Sequence, residues 1–135
     1  MSAKHLPVYK AASVLVRQIY DTTKKAPREL RYTLVHRLIS ESVDLLVDVD
    51  SANRSESMTR FNFIREAQKR MVRISVLMTS AYEQRCISKG AAAIFVESLA
   101  TLEKQLEGWS KYTQKSLVGV GQSKLEPSTD DQKNL

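Results

Sequence analysis

The chain has 135 residues, of which 42% are hydrophobic, and it carries a formal net charge of +6 with a pI near 9.5. This length and composition predict one domain whose core needs neither disulfides nor a structural metal. The single cysteine, Cys86, excludes an internal disulfide. The N-terminal residues lack the apolar stretch of a secretory signal, and no segment has the length and hydropathy of a membrane helix, so we expect a cytoplasmic protein.

The first half of the chain predicts two helices. Apolar residues recur at helical spacing from about residue 8 to residue 24, and Pro7 suits the first turn of that helix. Pro27 predicts the start of a second helix, with Glu29 favourably placed near its N-terminus. The predicted buried face of this second helix consists of Leu34, Leu38, Leu45, Val49 and Ala52.

Residues 57–89 contain neither proline nor glycine, and Gly90 follows them. This segment is therefore predicted to form a long third helix. Its apolar residues recur at spacings of three and four and predict one buried stripe: Ile64, Ala67, Met71, Ile74, Met78 and Tyr82. Asn53 and Glu56 have the spacing of a capping box just before this helix.

A fourth helix is predicted from Ala91 to about Leu117. Four helices joined by short connections predict an all-α fold, an antiparallel up-down-up-down four-helix bundle formed by residues 1–118. Residues 119–135 contain glycine, proline and polar residues with little apolar content. This composition cannot offset the entropy of ordering, so the segment is predicted to be a disordered C-terminal tail.

Several apolar residues lie away from the predicted buried stripes of the second and third helices. Isolated surface apolar residues are common, but here two different helices carry them, which favours self-association. The predicted oligomer contacts are Ile39, Val43, Val72, Val76 and Ile87.

The sequence offers little for catalysis. His5, His36 and Cys86 do not have the spacing of a metal site, and no phosphate-binding loop or nucleophile motif is present. Glu41, Asp44 and Asp48 share one helical face, which is more typical of a solvated acidic surface or of ion pairs with a neighbouring subunit. We therefore predict no enzyme activity, no metal and no cofactor.

The third helix carries most of the positive charge. Between residues 57 and 89 there are seven Lys or Arg and two acids, which gives 7 − 2 = +5. Solvent-facing helices usually alternate cations with acids, so this imbalance favours a polyanionic partner. The predicted nucleic-acid-binding residues are Arg60, Arg65, Lys69, Arg70 and Arg73, in which Arg65, Lys69 and Arg73 follow one another at intervals of four.

Short motifs in a fixed order complete the pattern. They are Leu6-Pro7-Val8-Tyr9-Lys10, Tyr20 to Lys24, Pro27-Arg28-Glu29, Tyr32-Thr33-Leu34, Ala52-Asn53-Arg54, Ile87-Ser88 and Gly108-Trp109. In this order and spacing, residues 6–116 resemble the four-helix-bundle accessory proteins of diversity-generating retroelements, the Avd proteins. The related proteins encoded within large-subunit ribosomal RNA genes usually lack the Gly-Trp pair. One departure is Val35, where many Avd relatives have glycine.

The resemblance implies a non-enzymatic homopentamer that engages a reverse transcriptase and its template RNA, so that error-prone cDNA synthesis starts at the right place. Two alternatives remain open. A bundle of the ribosomal-RNA intervening-sequence type would bind RNA without a reverse transcriptase, and a scaffold would use the same arginines to bind an acidic protein partner. The neighbouring genes distinguish the first alternative from the retroelement hypothesis.

Overall fold

The computed structural model describes the backbone of residues 3–125 and the side chains of residues 3–118. Four long helices form the domain: α1 (Pro7–Thr22), α2 (His36–Arg54), α3 (Ser57–Glu83) and α4 (Lys89–Leu125). No strand occurs within the described residues. Each helix packs against the next one in the chain, and α1 also packs against α4, which closes the arrangement around one core. The all-α prediction is therefore confirmed.

The chain enters α2 through two irregular turns. These are a helical turn, Arg28–Leu30, and a π-helical turn, Arg31–Val35, which follows it directly. A separate 3-10 turn, Ala3–His5, precedes α1. Val35 is buried at the end of the π turn. The predicted second helix is thus helical from its start, but a bulged turn separates its first residues from α2.

The core follows the predicted apolar periodicity. On α3, the buried residues are Ile64, Ala67, Met71, Ile74, Met78 and Ala81. Tyr82, the last residue of the predicted stripe, is 43% exposed. In the last turn of α3, which ends at Glu83, the buried residue is Ala81 instead. The rest of the core consists of apolar residues from the other helices, including Leu15, Ile19, Leu38, Leu45, Phe95, Leu102 and Leu106.

Helix ends and one predicted cap differ from the sequence predictions. α2 continues to Arg54, which places Asn53 inside a helix, and α3 begins after Glu56 without a side-chain cap hydrogen bond, so the capping box was wrong. α4 continues to Leu125, so residues 119–125 of the predicted tail are helical, whereas residues 126–135 lie outside the described structure. Across residues 3–125, no helix is long and apolar enough to cross a membrane.

Candidate nucleic-acid interface

The exposed face of α3 carries the predicted row of cations. Arg65, Lys69 and Arg73 are all exposed, and α3 is a continuous α-helix through them. Residues four apart in an α-helix are separated by a rise of about 6 Å and lie on nearly the same face. The structure therefore places these three side chains in one row on the surface, as the spacing predicted.

The contacts of the row leave most of its charge available. The Arg65 guanidinium carbon lies 6.0 Å from the centroid of the Phe61 ring, the distance of a weak cation–π contact. Lys69 Nζ is 3.5 Å from a carboxylate oxygen of Glu66, but both side chains are more than half exposed. Among residues 3–118, neither Arg65 nor Arg73 forms an ion pair. A surface pair such as Lys69–Glu66 contributes little stability and yields readily to a stronger anion.

Arg70 does not belong to this row. Its side chain is 17% exposed and lies between α3 and α2, where Nη1 is 3.0 Å from Glu41 and 3.6 Å from Asp44. Nε donates a hydrogen bond of 2.9 Å to Asp48. The prediction that Arg70 contacts RNA is corrected accordingly, because three carboxylates of the same chain already surround its guanidinium. The same contacts replace the predicted pairing of these acids with a neighbouring subunit.

Burial changes the acidity of this cluster. Desolvation raises the pKa of Asp48, although the hydrogen bond and the charge of Arg70 act in the opposite direction. Desolvation lowers the pKa of Arg70, but its hydrogen bonds and charge interactions with Asp48 and Glu41 outweigh that effect and raise it. Arg70 is therefore a fixed positive charge that compensates partly buried carboxylates. The cluster is a structural ion-pair network between two helices.

Arg60 also has a role within the chain. Its Nε donates a hydrogen bond of 2.9 Å to the carbonyl of Ala52, and its Nη2 donates one of 3.2 Å to the carbonyl of Asn53. These carbonyls belong to the last turn of α2, where backbone acceptors lack the usual amide donor four residues on, and the Ala52 carbonyl also accepts from the Ser55 amide at 3.2 Å. Arg60 thus caps α2 from the first turns of α3, and its contact with RNA stays a prediction.

Replacing Arg60 by alanine is expected to lower the free energy of unfolding by about 1 to 3 kcal/mol, because two carbonyls lose a charged donor. Urea denaturation followed by circular dichroism measures this change. Arg60→Lys keeps the charge but loses the planar fork, so it should also destabilise the protein. Arg54→Ala is the matched control, because Arg54 forms an exposed pair with Asp50 and should contribute less than about 1 kcal/mol. Equal effects of the Arg54 and Arg60 replacements would contradict the capping role.

The predicted oligomer contacts divide into two groups. Val72 and Val76 are 63% and 64% exposed on α3, and Val43 is exposed on α2. Ile39 is partly buried and packs against the core, and Ile87 is buried in the core, so neither is an exposed apolar residue of the single chain. Ile87 lies beyond the end of α3, where the chain turns back over the bundle, and helical periodicity therefore gave it the wrong orientation.

Val47 extends the exposed apolar group on α2. It is exposed and follows Val43 by four residues, so both lie on the same helical face. Its spacing of four from Val43 is visible in the sequence, although Val47 is not among the predicted oligomer contacts. We use the name valine patch for two exposed pairs, Val43 with Val47 on α2 and Val72 with Val76 on α3, each on a face of its helix that points away from the core.

The described residues contain no group of three or more His, Cys, Asp or Glu side chains arranged to hold a metal ion. Glu41, Asp44 and Asp48 do converge, but they converge on the Arg70 guanidinium. Cys86 is buried, and burial raises the pKa of its thiol, which disfavours the reactive thiolate. No protein-family model matches this chain, and no curated protein matches it.

Proposed function

We propose that this protein is a non-catalytic accessory protein of a diversity-generating retroelement, which binds template RNA and the reverse transcriptase during mutagenic cDNA synthesis. The exposed row of Arg65, Lys69 and Arg73 is the observation that supports RNA binding. Weakly compensated cations at this spacing attract a phosphate backbone. The resemblance of residues 6–116 to Avd proteins supports the retroelement part, in which the polymerase supplies the chemistry.

We further propose that the helices form an antiparallel up-down-up-down bundle that assembles as a homopentamer in the cytoplasm. Arg60, early in α3, contacts Ala52 late in α2, whereas Arg70, further along α3, reaches back to Glu41. This pairing supports opposite directions for α2 and α3. The valine patch supports assembly, because each copy carries an apolar surface that a neighbouring copy can bury.

Charge reversal of the row tests RNA binding. The triple variant Arg65→Glu, Lys69→Glu, Arg73→Glu should lower affinity for many RNA sequences alike, because phosphate contacts carry no sequence information. The slope of log K against log salt should flatten by about 0.7 to 0.9 unit for each lost contact, or roughly two to three units in total. Fluorescence anisotropy at several salt concentrations measures both quantities. Arg70 stays unchanged, because its replacement would disturb the fold.

A charge-matched control separates the row from the overall charge of the protein. Lys104→Glu, Lys111→Glu, Lys115→Glu on α4 changes three exposed cations and brings the net charge to 6 − 6 = 0, as the row variant does. Equal loss of affinity in the two variants would show that net charge alone drives binding. Unchanged affinity in a folded row variant would remove the proposed RNA site.

The retroelement part has its own test. We expect a reverse-transcriptase gene and a template repeat to lie beside the gene for this protein. We also expect the purified protein to capture that reverse transcriptase. RNA binding without such a gene neighbourhood would favour the intervening-sequence alternative, and binding of an acidic protein in place of RNA would favour the scaffold.

A further inference from the structure

A cationic cleft lies at one end of the bundle, where the C-terminal end of α1 meets the connection between α3 and α4. Its volume is about 810 Å³, within the range of small-molecule sites. Four exposed cations line it, namely Lys24, Lys25, Arg85 and Lys89. None of them belongs to the row on the exposed face of α3. The cleft is therefore a separate positively charged surface.

Charge and apolar surface occur together in this cleft. Asp21 and Glu83 also line it, which leaves a net charge of 4 − 2 = +2, and Lys24 Nζ lies 3.7 Å from Asp21. The lining includes the buried residues Cys86, Ile87 and Ala91, and the half-exposed ring of Tyr82. A ligand that matches this lining has a phosphate for the cations and a flat, weakly polar group for the tyrosine and the apolar lining.

The backbone of Arg85 points to the same place. Arg85 has φ = 63°, and the Cys86 amide donates to the Ala81 carbonyl at 2.7 Å while the Arg85 amide donates to the Tyr82 carbonyl at 3.0 Å. These two bonds define a Schellman motif at the end of α3, whose left-handed residue is usually glycine. Arginine is strained there, and such outliers concentrate at functional sites. Its side chain lines the cleft.

We propose that this cleft binds one unstacked nucleotide of single-stranded RNA. Lys25, Arg85 and Lys89 contact the phosphate, and the base packs against Tyr82 and the apolar lining, a combination typical of single-strand binding. The proposal deepens the proposed function and rests on it, because it adds a second contact for the same RNA. Two RNA contacts on one chain would raise its affinity for RNA that spans both.

Arg85→Gly gives a test in which stability and binding change in opposite directions. Glycine relieves the left-handed strain, so the Tm should rise by about 2 to 5 °C. Affinity for a short single-stranded oligoadenylate should fall roughly tenfold, because one charged phosphate contact is lost. Lys104→Gln, which removes one cation from α4, should leave that affinity nearly unchanged. A raised Tm with unchanged oligoadenylate affinity would overturn the proposal.

Two further measurements sharpen the result. The double variant Lys25→Gln, Lys89→Gln should weaken oligoadenylate binding while the chain stays folded, and full affinity in that variant would also overturn the proposal. Adenosine monophosphate carries the same chemical groups, so it is titrated separately, and binding as tight as that of oligoadenylate would assign the cleft to a free nucleotide instead. The RNA affinity of the row variant is measured in parallel. If the row variant loses affinity and Arg85→Gly does not, only the cleft is removed as an RNA contact. If Arg85→Gly loses affinity and the row variant does not, only the row is removed.

Discussion

Replacing Arg70 by methionine is expected to lower the free energy of unfolding by about 3 to 5 kcal/mol. The side chains of Glu41 and Asp48 are 15% and 12% exposed, and both contact the Arg70 guanidinium. Without it, two partly buried carboxylates lose their charge partner and their hydrogen-bond donor. Urea denaturation followed by far-UV circular dichroism measures the loss.

Two control variants define the cause of that loss. Lys69→Met removes the neighbouring exposed cation and should change stability by less than about 0.5 kcal/mol. Combining Arg70→Met with Glu41→Met and Asp48→Leu should recover much of the stability, because apolar residues can replace a buried ion-pair network without leaving a charge unpaired. A loss below about 1 kcal/mol in Arg70→Met would contradict a structural role for this network.

The pH dependence of the free energy of unfolding of Arg70→Met follows from the direction in which the pKa of Asp48 is shifted. Because burial raises the pKa of Asp48, the folded chain binds this proton more tightly than the unfolded chain does. The contribution of Asp48 to stability therefore falls as the pH rises through the raised pKa of the folded state. Removing Arg70 removes the interactions that lower this pKa, so the stability deficit of Arg70→Met should shrink as the pH is lowered toward that range.

The double variant Val72→Glu, Val76→Glu is expected to convert the proposed oligomer to a monomer of about 15.3 kDa. Both valines are well exposed in the isolated chain, so glutamate is tolerated there as a surface residue. In a subunit contact, each glutamate would be desolvated without a partner, and a closed ring would repeat that penalty at every interface. Multi-angle light scattering at tens of micromolar measures the mass, and circular dichroism checks that the helices remain.

Val118→Glu serves as the matched control, because Val118 is also exposed but lies near the end of α4, away from the valine patch. This variant should keep the wild-type mass. A monomeric wild-type protein at the same concentration would remove the oligomer proposal, and an unchanged mass for the double variant would move the subunit contact elsewhere.

Assembly and RNA binding share one helix. Arg65 lies seven residues before Val72 on α3, so both are on nearly the same face, separated by a rise of about 10 Å. If Val72 and Val76 are covered by another copy, Arg73, which lies between them in the sequence, is beside that contact, and Lys69 and Arg65 extend away from it along α3. The oligomer would then repeat the row around its surface, and the monomeric variant should bind long RNA more weakly through loss of multivalency.

Helical periodicity in the amino-acid sequence predicts the helices and most of the core. Spacings of three and four residues predicted that Ile64, Ala67, Met71, Ile74, Met78 and Tyr82 are buried, and all but Tyr82 are. The same periodicity predicted that Arg65, Lys69 and Arg73 lie in one exposed row. Such predictions succeed because one helix fixes the angular positions of its own side chains without reference to any neighbour.

What lies beside the flanks and ends of each helix depends on how the helices pack against one another. Arg70 lies between the core stripe and the exposed row, and its burial depends on α2 presenting Glu41 and Asp48 to that flank. Arg60 became a cap because α2 ends close to it, and Ile87 became buried because the chain turns back after α3. Each outcome depends on how two helices are placed relative to each other, which the periodicity of either helix alone does not contain.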